Sequence, residues 1–287
     1  MRGRIIKGIG GFYYVDTEQE IIRAKGRGVF RKKGQSLVVG DFVEVEKRED
    51  GDSVITKVYD RKNSFIRPAV SNVDRMVIVA AAKNPEINFV TVDRFLIMAE
   101  KNHADPVICI SKTDLASEEL LENIRETYEG VYPIVFVSSV SMEGVEQLKE
   151  MIRGCSVAFA GPSGTGKSTL INTIFTESLM ETGSISEKTQ RGRHTTRHVE
   201  IIKAGDIEIF DTPGFTSFNI LEVTEEQLSS CYPEFKRLKG CCRFQNCRHM
   251  KEPGCSVIEA VKQGNISKKR YDSYVYNLEE IRKKKRY

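Results

Sequence analysis

The residues Gly161-Pro162-Ser163-Gly164-Thr165-Gly166-Lys167-Ser168 follow the pattern G-x-x-x-x-G-K-[ST], the spacing of a phosphate-binding loop. Glycines let such a loop curl until its N–H groups point inward at phosphate oxygens, and the helix that follows adds positive potential. Lys167 is placed to reach the β and γ phosphates, Ser168 to ligate Mg²⁺, and Thr169 beside it to join the loop in binding the nucleotide. The context agrees: an apolar run, Val157–Ala160, leads in, and a helical pattern over Gly166–Phe175 leads out.

That loop does not choose a base. Ser111-Lys112-Thr113-Asp114, after the apolar run Val107–Ile110, resembles the N-K-x-D guanine motif of GTPases. A carboxylate at Asp114 can accept from both guanine N1–H and the exocyclic amine, a donor pair that adenine lacks. The Lys112 stem can cover the base face. Ser111 stands where Asn is usual, so the amide contacts of an Asn are reduced or lost. Ser138-Ser139, after Ile134–Val137, resembles the S-A element that supports guanine O6 through backbone N–H.

Asp211-Thr-Pro-Gly214 matches D-x-x-G, in which the Asp holds Mg²⁺ through water and the Gly N–H senses the γ-phosphate. Gly192-Arg-His-Thr-Thr-Arg197 is a polar stretch suited to a mobile switch, with Thr195 or Thr196 as a candidate to close over Mg²⁺. Many GTPases orient the attacking water with a Gln just after D-x-x-G. Here that position is Phe215, so unaided turnover is expected to be slow, and His194 is the candidate to position water, with contact to RNA or solvent as its alternative role. The order is also unusual, because the guanine elements precede the phosphate loop. Ligand sites of open α/β sheets collect at the carboxyl ends of strands, so a chain cut and rejoined elsewhere keeps its site. The reading is a circularly permuted GTPase.

The elements that must position these residues fall into three stretches. Residues 1–66 show short alternating runs (Arg4–Ile9, Phe12–Val15, Glu20–Ala24, Asp41–Glu46, Ser53–Val58) separated by glycines, which predicts a five-stranded barrel of the oligonucleotide-binding type. Residues 23–33 there carry six basic side chains, no acidic one, and Phe30, a candidate phosphate-backbone surface or else a solvated loop. Over 67–218, apolar runs alternate with helical patterns (Val90–Asn102, Ser117–Glu129, Glu143–Ile152), which predicts a mostly parallel sheet with helices on both faces. His198–Ile202 and Ile207–Phe210 read as a hairpin. Residues 219–287 hold a Cys/His cluster, a helix from about Val257, and a tail, 268–287, with eight basic residues against three acidic. The fold class is multidomain α/β.

Lys plus Arg number 44 against 40 Asp plus Glu, so the net charge of +4 alone suggests no nucleic-acid partner. No apolar run approaches the ~18 residues of a membrane span. Lys7 interrupts the apolar start that a signal peptide would need. The chain is therefore expected to be cytoplasmic and is taken as a monomer. Its seven cysteines are expected reduced, and clustered ones suit metal. Cys109, Cys155 and Cys231 stand apart from other ligands, and His103 and His198 read as structural.

Together these features resemble the bacterial ribosome small-subunit-dependent GTPase A (RsgA, or YjeQ) family over essentially the whole chain. Matching segments include Val92-Asp93-Arg94-Phe95-Leu96, the phosphate loop, Gly192–Arg197, Asp211–Phe215 and the cluster after Gly240. The resemblance implies a structural zinc site at Cys242, Cys247, His249 and Cys255, with Cys241 outside the set. It also implies GTP hydrolysis to GDP, stimulated by the small ribosomal subunit during its late maturation, with 16S rRNA as partner. Two other functions remain open at this level: an RNA-binding switch with negligible hydrolysis, and a phosphate-loop ATPase or kinase, which Asp114 opposes.

Overall fold

Strands that must be covered on both faces are apolar at every position, and the middle of this chain supplies several of them. The computed structural model describes residues 1–28, 30, 34, 36–48, 52–182, 199–212, 215–216 and 218–284. Its central strands are β8 (Arg75–Ala81), β9 (Asp105–Ser111), β10 (Ile134–Val137), β11 (Ser156–Ala160), β12 (Glu200–Ala204) and β13 (Ile207–Asp211). They lie in the order β10-β9-β8-β11-β13-β12, with β12 antiparallel to β13 and the other neighbours parallel. Side chains alternate between faces along each strand. Met76, Ile78, Ile108 and Ile110 therefore pack under α1 (Phe89–Lys101) and α2 (Glu118–Tyr128). Val77, Val79, Val107 and Cys109 pack under α3 (Val145–Ile152) and α4 (Lys167–Thr182). Each such side chain contributes about 1.5–3 kcal/mol on full burial. Caps set two helix starts: Asn88 accepts from Thr91 N–H at 2.9 Å and Ser117 from Leu120 N–H at 3.3 Å.

The amino-terminal strands alternate because only one face of each is covered. β1 (Arg2–Ile9), β2 (Phe12–Asp16), β3 (Ile21–Gly26), β4 (Phe42–Glu46) and β5 (Ser53–Val58) run in the order β1-β2-β3-β5-β4, and β4 returns to β1 to close a barrel. Ile5, Val15, Ile22, Val43, Val45 and Ile55 fill it. A two-stranded ribbon, β6 (Ser64–Phe65) with β7 (Val70–Ser71), links barrel and sheet. β1 also pairs with β12 at Lys7 and Glu200, so one continuous sheet runs through both units. Arg4 reinforces that junction from a buried position, donating to Ser156 Oγ at 2.5 Å and Asn72 O at 2.8 Å and pairing with Glu208.

Phe30 does not belong to an RNA-contact face, as residues 23–33 suggested. Its ring is buried in the core the barrel shares with the sheet, where an apolar ring gains more than at a solvated surface. Arg23 and Lys25 pair with Asp52, Arg27 pairs with Glu46, and Arg31, Lys32 and Lys33 lie outside the described residues.

After a 3-10 turn, Ile220–Glu222, the chain makes two short helical turns, Glu225–Leu228 and Pro233–Lys236, then α5 (Ser256–Lys262) and α6 (Lys268–Lys284). Tyr232, Phe235, Val257, Tyr274 and Leu278 form their core, joined by Ile97 of α1. One cation of the basic tail is buried. Arg270, 1% exposed, points inward and pairs with Asp93 of α1 and with Glu234, whose Oε1 lies 2.8 Å away. Tyr128 also donates to Asp93 at 3.1 Å, and Arg270 lies 4.5 Å over the Tyr232 ring. Burial opposes the guanidinium charge, but Asp93 and Glu234 outweigh it and hold its pKa above the ordinary value. Arg94, next along α1, bonds Asn277 at 2.9 Å and pairs with Glu280. Among the described residues no helix is long and apolar enough to cross a membrane.

Removing Arg270 leaves two carboxylates buried without a counter-charge. Arg270→Ala should therefore cost about 3–5 kcal/mol in denaturant unfolding. A loss under about 1 kcal/mol would show that the cluster does not hold α6 to α1.

Candidate active site and metal centre

The parallel register brings three loops to one edge of the sheet. β8, β9, β11 and β13 all end there: β9 runs into Ser111–Asp114, β11 into Gly161–Ser168, and β13 ends on Asp211. Gly161 leaves β11 at φ +142°, and a Cβ there would stand 2.1 Å from Val79 O, so only glycine fits. Its N–H donates to Phe215 O at 2.9 Å, which ties the residue after D-x-x-G to the base of the loop. Gly164 and Gly166 also take positive φ, +80° and +84°, and turn the loop into the start of α4. Ser163, Gly164, Ser168 and Thr169 are exposed at its mouth, while Thr165 is buried and donates to Pro162 O at 3.0 Å. Lys167 donates to Gly161 O at 2.7 Å and to Pro162 O, and burial lowers its pKa.

The guanine-type motif is stitched to this loop. Ser111, at the end of β9, donates from Oγ to Thr165 O at 2.6 Å, with Ala80 O at 3.3 Å. Lys112, in a left-handed conformation, donates to Gly164 O at 2.7 Å and to Asn84 O. Thr113 opens a short 3-10 turn that presents Asp114 to solvent. Ser138, fully buried, donates from Oγ to Asp114 Oδ1 at 2.7 Å and accepts from Val140 and Ser141 N–H at 3.2 Å. Its own N–H goes to Glu143 O at 3.1 Å, so any backbone donor to a base falls to Ser139. The Ser138–Asp114 bond was missed in the sequence, where the Ser-Ser pair suggested only backbone contacts. Phe215 is buried, edge-on to Phe65 with centroids 5.5 Å apart, so its side chain supplies nothing to the loop. Asp211 stands at the end of β13 beside β11. Gly214 and the whole stretch 192–197, with His194, Thr195 and Thr196, lie outside the described residues, as does His198.

Cys242, Cys247, His249 and Cys255 place one ligand atom each within 4.8 Å of one another, and this cluster could hold a metal ion. Tetrahedral zinc geometry requires about 3.8 Å between sulfurs and about 3.6 Å from sulfur to imidazole nitrogen. Here Cys242 Sγ lies 4.0 Å from Cys255 Sγ and 3.7 Å from His249 Nδ1, which is 3.3 Å from Cys255 Sγ. The donor set therefore fits. Burial lowers the His249 pKa, which favours the neutral, ligating imidazole. The loop is braced from outside. Glu252 accepts from Arg248 and Met250 N–H at 2.8 Å, and Tyr271 and Tyr274 donate to His249 O and Arg248 O at 2.8 and 2.9 Å. Cys241 is exposed and outside the cluster; Cys109 and Cys231 are buried in separate cores and Cys155 is half-buried, all apart from other ligands.

A phosphate loop, a guanine-type loop and a D-x-x-G strand meeting at one sheet edge in permuted chain order define a circularly permuted phosphate-loop GTPase. Residues 58–221 match the model of the RsgA GTPase family, and residues 2–55 that of the RsgA N-terminal domain. The chain belongs to the RsgA GTPase family. It is 45% identical to the small ribosomal subunit biogenesis GTPase RsgA of Clostridium beijerinckii, across 98% of this chain and 97% of that one. The protein of the same name from Clostridium perfringens is 44% identical, across 98% of both. Among solved structures, YjeQ from Thermotoga maritima superposes with a TM-score of 0.84 at 35% identity, covering 98% of each chain. YloQ, described as a circularly permuted GTPase, gives 0.83 at 34% identity, across 99% of this chain and 95% of that one.

The metal cluster separates two neighbouring cysteines. Elemental analysis should find one metal ion per chain in Cys241→Ser and none in Cys242→Ser. Loss of metal from the first variant, or its retention by the second, would shift the ligand set.

Proposed function

We infer that this chain binds GTP, hydrolyses it to GDP and phosphate, and acts in maturation of the small ribosomal subunit. The observation that carries the reading is the convergence of Asp114, buttressed by Ser138, with the Gly161–Ser168 loop at one edge of the sheet. An adenine nucleotide reading has no counterpart to the donor pair that Asp114 would accept from.

On this reading the loop amides of Pro162 to Thr169 surround the phosphates, and Lys167 leaves its carbonyl partners to meet the γ-phosphate. Lys112 and Ser139 flank the base. Ser168 and Asp211 offer a hydroxyl and a carboxylate, a donor pair suited to a hard cation. They would hold Mg²⁺, Asp211 through water, and the ion would neutralise charge developing on the transferred phosphoryl group. Phe215 faces the core, so water must be positioned by another group, for which His194 is our candidate; Thr195 or Thr196 would be the residue to close over the metal. We assign zinc to Cys242, Cys247, His249 and Cys255, as a structural ion with no open coordination position.

We divide the chain into an RNA-binding barrel (1–66), the GTPase unit (67–218) and a zinc-binding unit (219–287), acting as a cytoplasmic monomer. The barrel offers paired cations and rings: Arg23 lies 3.9 Å over Phe12 and Arg2 lies 4.8 Å over Tyr59. Such a surface suits the phosphates and bases of 16S rRNA.

Turnover of GTP and ATP, each with and without purified small ribosomal subunits, tests the reading. GTP hydrolysis alone should rise on adding subunits, and the stimulation should fall steeply between low and moderate salt. His194→Ala should lose most of the stimulated rate and keep GTP affinity. Equal stimulation with ATP would contradict the assignment of the base site.

A further inference from the structure

Ser111 occupies the position whose side chain would ordinarily be a carboxamide, and its bonding limits what it can still do. A hydroxyl has one hydrogen to donate, whereas a carboxamide has two. The Ser111 hydrogen is committed: Oγ stands 2.6 Å from Thr165 O, with Ala80 O as a second acceptor at 3.3 Å. The side chain is buried between β9 and the phosphate loop, so no change of rotamer exposes it without breaking that stitch. Lys112, the next donor, is held by Gly164 O and Asn84 O. Guanine presents donors at N1 and N2 and pure acceptors at O6 and N7. Asp114 suits the donors and the Ser139 N–H suits O6. At the carboxamide position itself, therefore, no side-chain hydrogen is left for N7, and two of the three Lys112 ammonium hydrogens are taken by backbone carbonyls.

We propose that Ser111 is a positioning residue that locks the guanine loop to the phosphate loop, and that this site selects guanine nucleotides without reading N7. The inference rests on the guanine reading given above and deepens it. Discrimination is then concentrated on the N1–N2 edge, through Asp114 held by Ser138. Guanine nucleotides altered at N7 belong to the set of ligands the site accepts, and those lacking the exocyclic amine do not.

Competition against a labelled GDP, with GDP, 7-deaza-GDP and inosine diphosphate as probes, tests this on the unmodified chain. The expected result is 7-deaza-GDP within about twofold of GDP, and inosine diphosphate weaker by about tenfold or more. A tenfold loss on 7-deaza-GDP, with inosine diphosphate also weak, would overturn the N7 inference and leave the Asp114 reading standing. Inosine diphosphate binding as tightly as GDP would overturn both. Two variants separate positioning from simple structural support. Ser111→Asn supplies a second donor and should tighten GDP several-fold while leaving 7-deaza-GDP unchanged. Ser111→Ala should weaken both probes equally, and Ser111→Thr, which keeps the hydroxyl, should restore both. A Ser111→Ala chain with undiminished affinity for both would remove the positioning role.

Discussion

The parallel register of β8, β9, β11 and β13 is the constraint on which the rest depends. Parallel neighbours end together, so whatever follows each strand is delivered to the same edge. Ala81 lies opposite Ser111, and Ala160 opposite Ile78, which fixes the guanine-type loop and the phosphate loop a strand apart. Chain order has no bearing on that result. The sheet buries its apolar residues on both faces, and a slip by one residue would exchange the faces along a whole strand. Burial of Ile78, Ile108 and Ala158 on one side and Val77, Val107 and Val157 on the other thus sets the site geometry from a distance.

The two outer units are held to this sheet in different ways. The barrel is continuous with it through β1 and β12, and Arg4 adds a buried ion pair to Glu208 beside β11. The carboxyl-terminal helices share no strand with it. They are joined to α1 by packing around Ile97 and by the Arg270 cluster, which spans the units through Asp93 and Glu234. The carboxyl-terminal unit also touches α2 and the turn after it, through Lys269 with Asn123 and Arg237 with Gly130 O at 3.1 Å.

Much of this was legible in the sequence, for identifiable reasons. The phosphate loop, Ser111–Asp114 and the Cys/His cluster are local patterns in which adjacent residues share one task. The barrel strands and the buried strands were legible because period-two alternation and continuous apolar runs report how many faces are covered. What escaped depends on residues far apart in the chain. Asp93 and Arg270 are 177 positions apart, and Arg270 looked like one more cation of the basic tail until its carboxylate partners were placed around it. Phe30 looked like part of a phosphate-contact surface or a solvated loop because its neighbours are basic, yet the core claims its ring. Ser138 looked like a backbone donor, and its hydroxyl instead fixes Asp114. The single bond from Ser111 to Thr165 O, across 54 positions, had no signal beyond the substitution itself.

The most direct measurement is a crystal structure of the chain with GDP and Mg²⁺. Guanine N1–H and the exocyclic amine should lie within hydrogen-bond distance of the Asp114 carboxylate, with the β-phosphate surrounded by the backbone N–H groups of the Gly161–Ser168 loop. Phosphates in that loop with the base turned away from Asp114 would contradict the claim that these segments form one guanine nucleotide site.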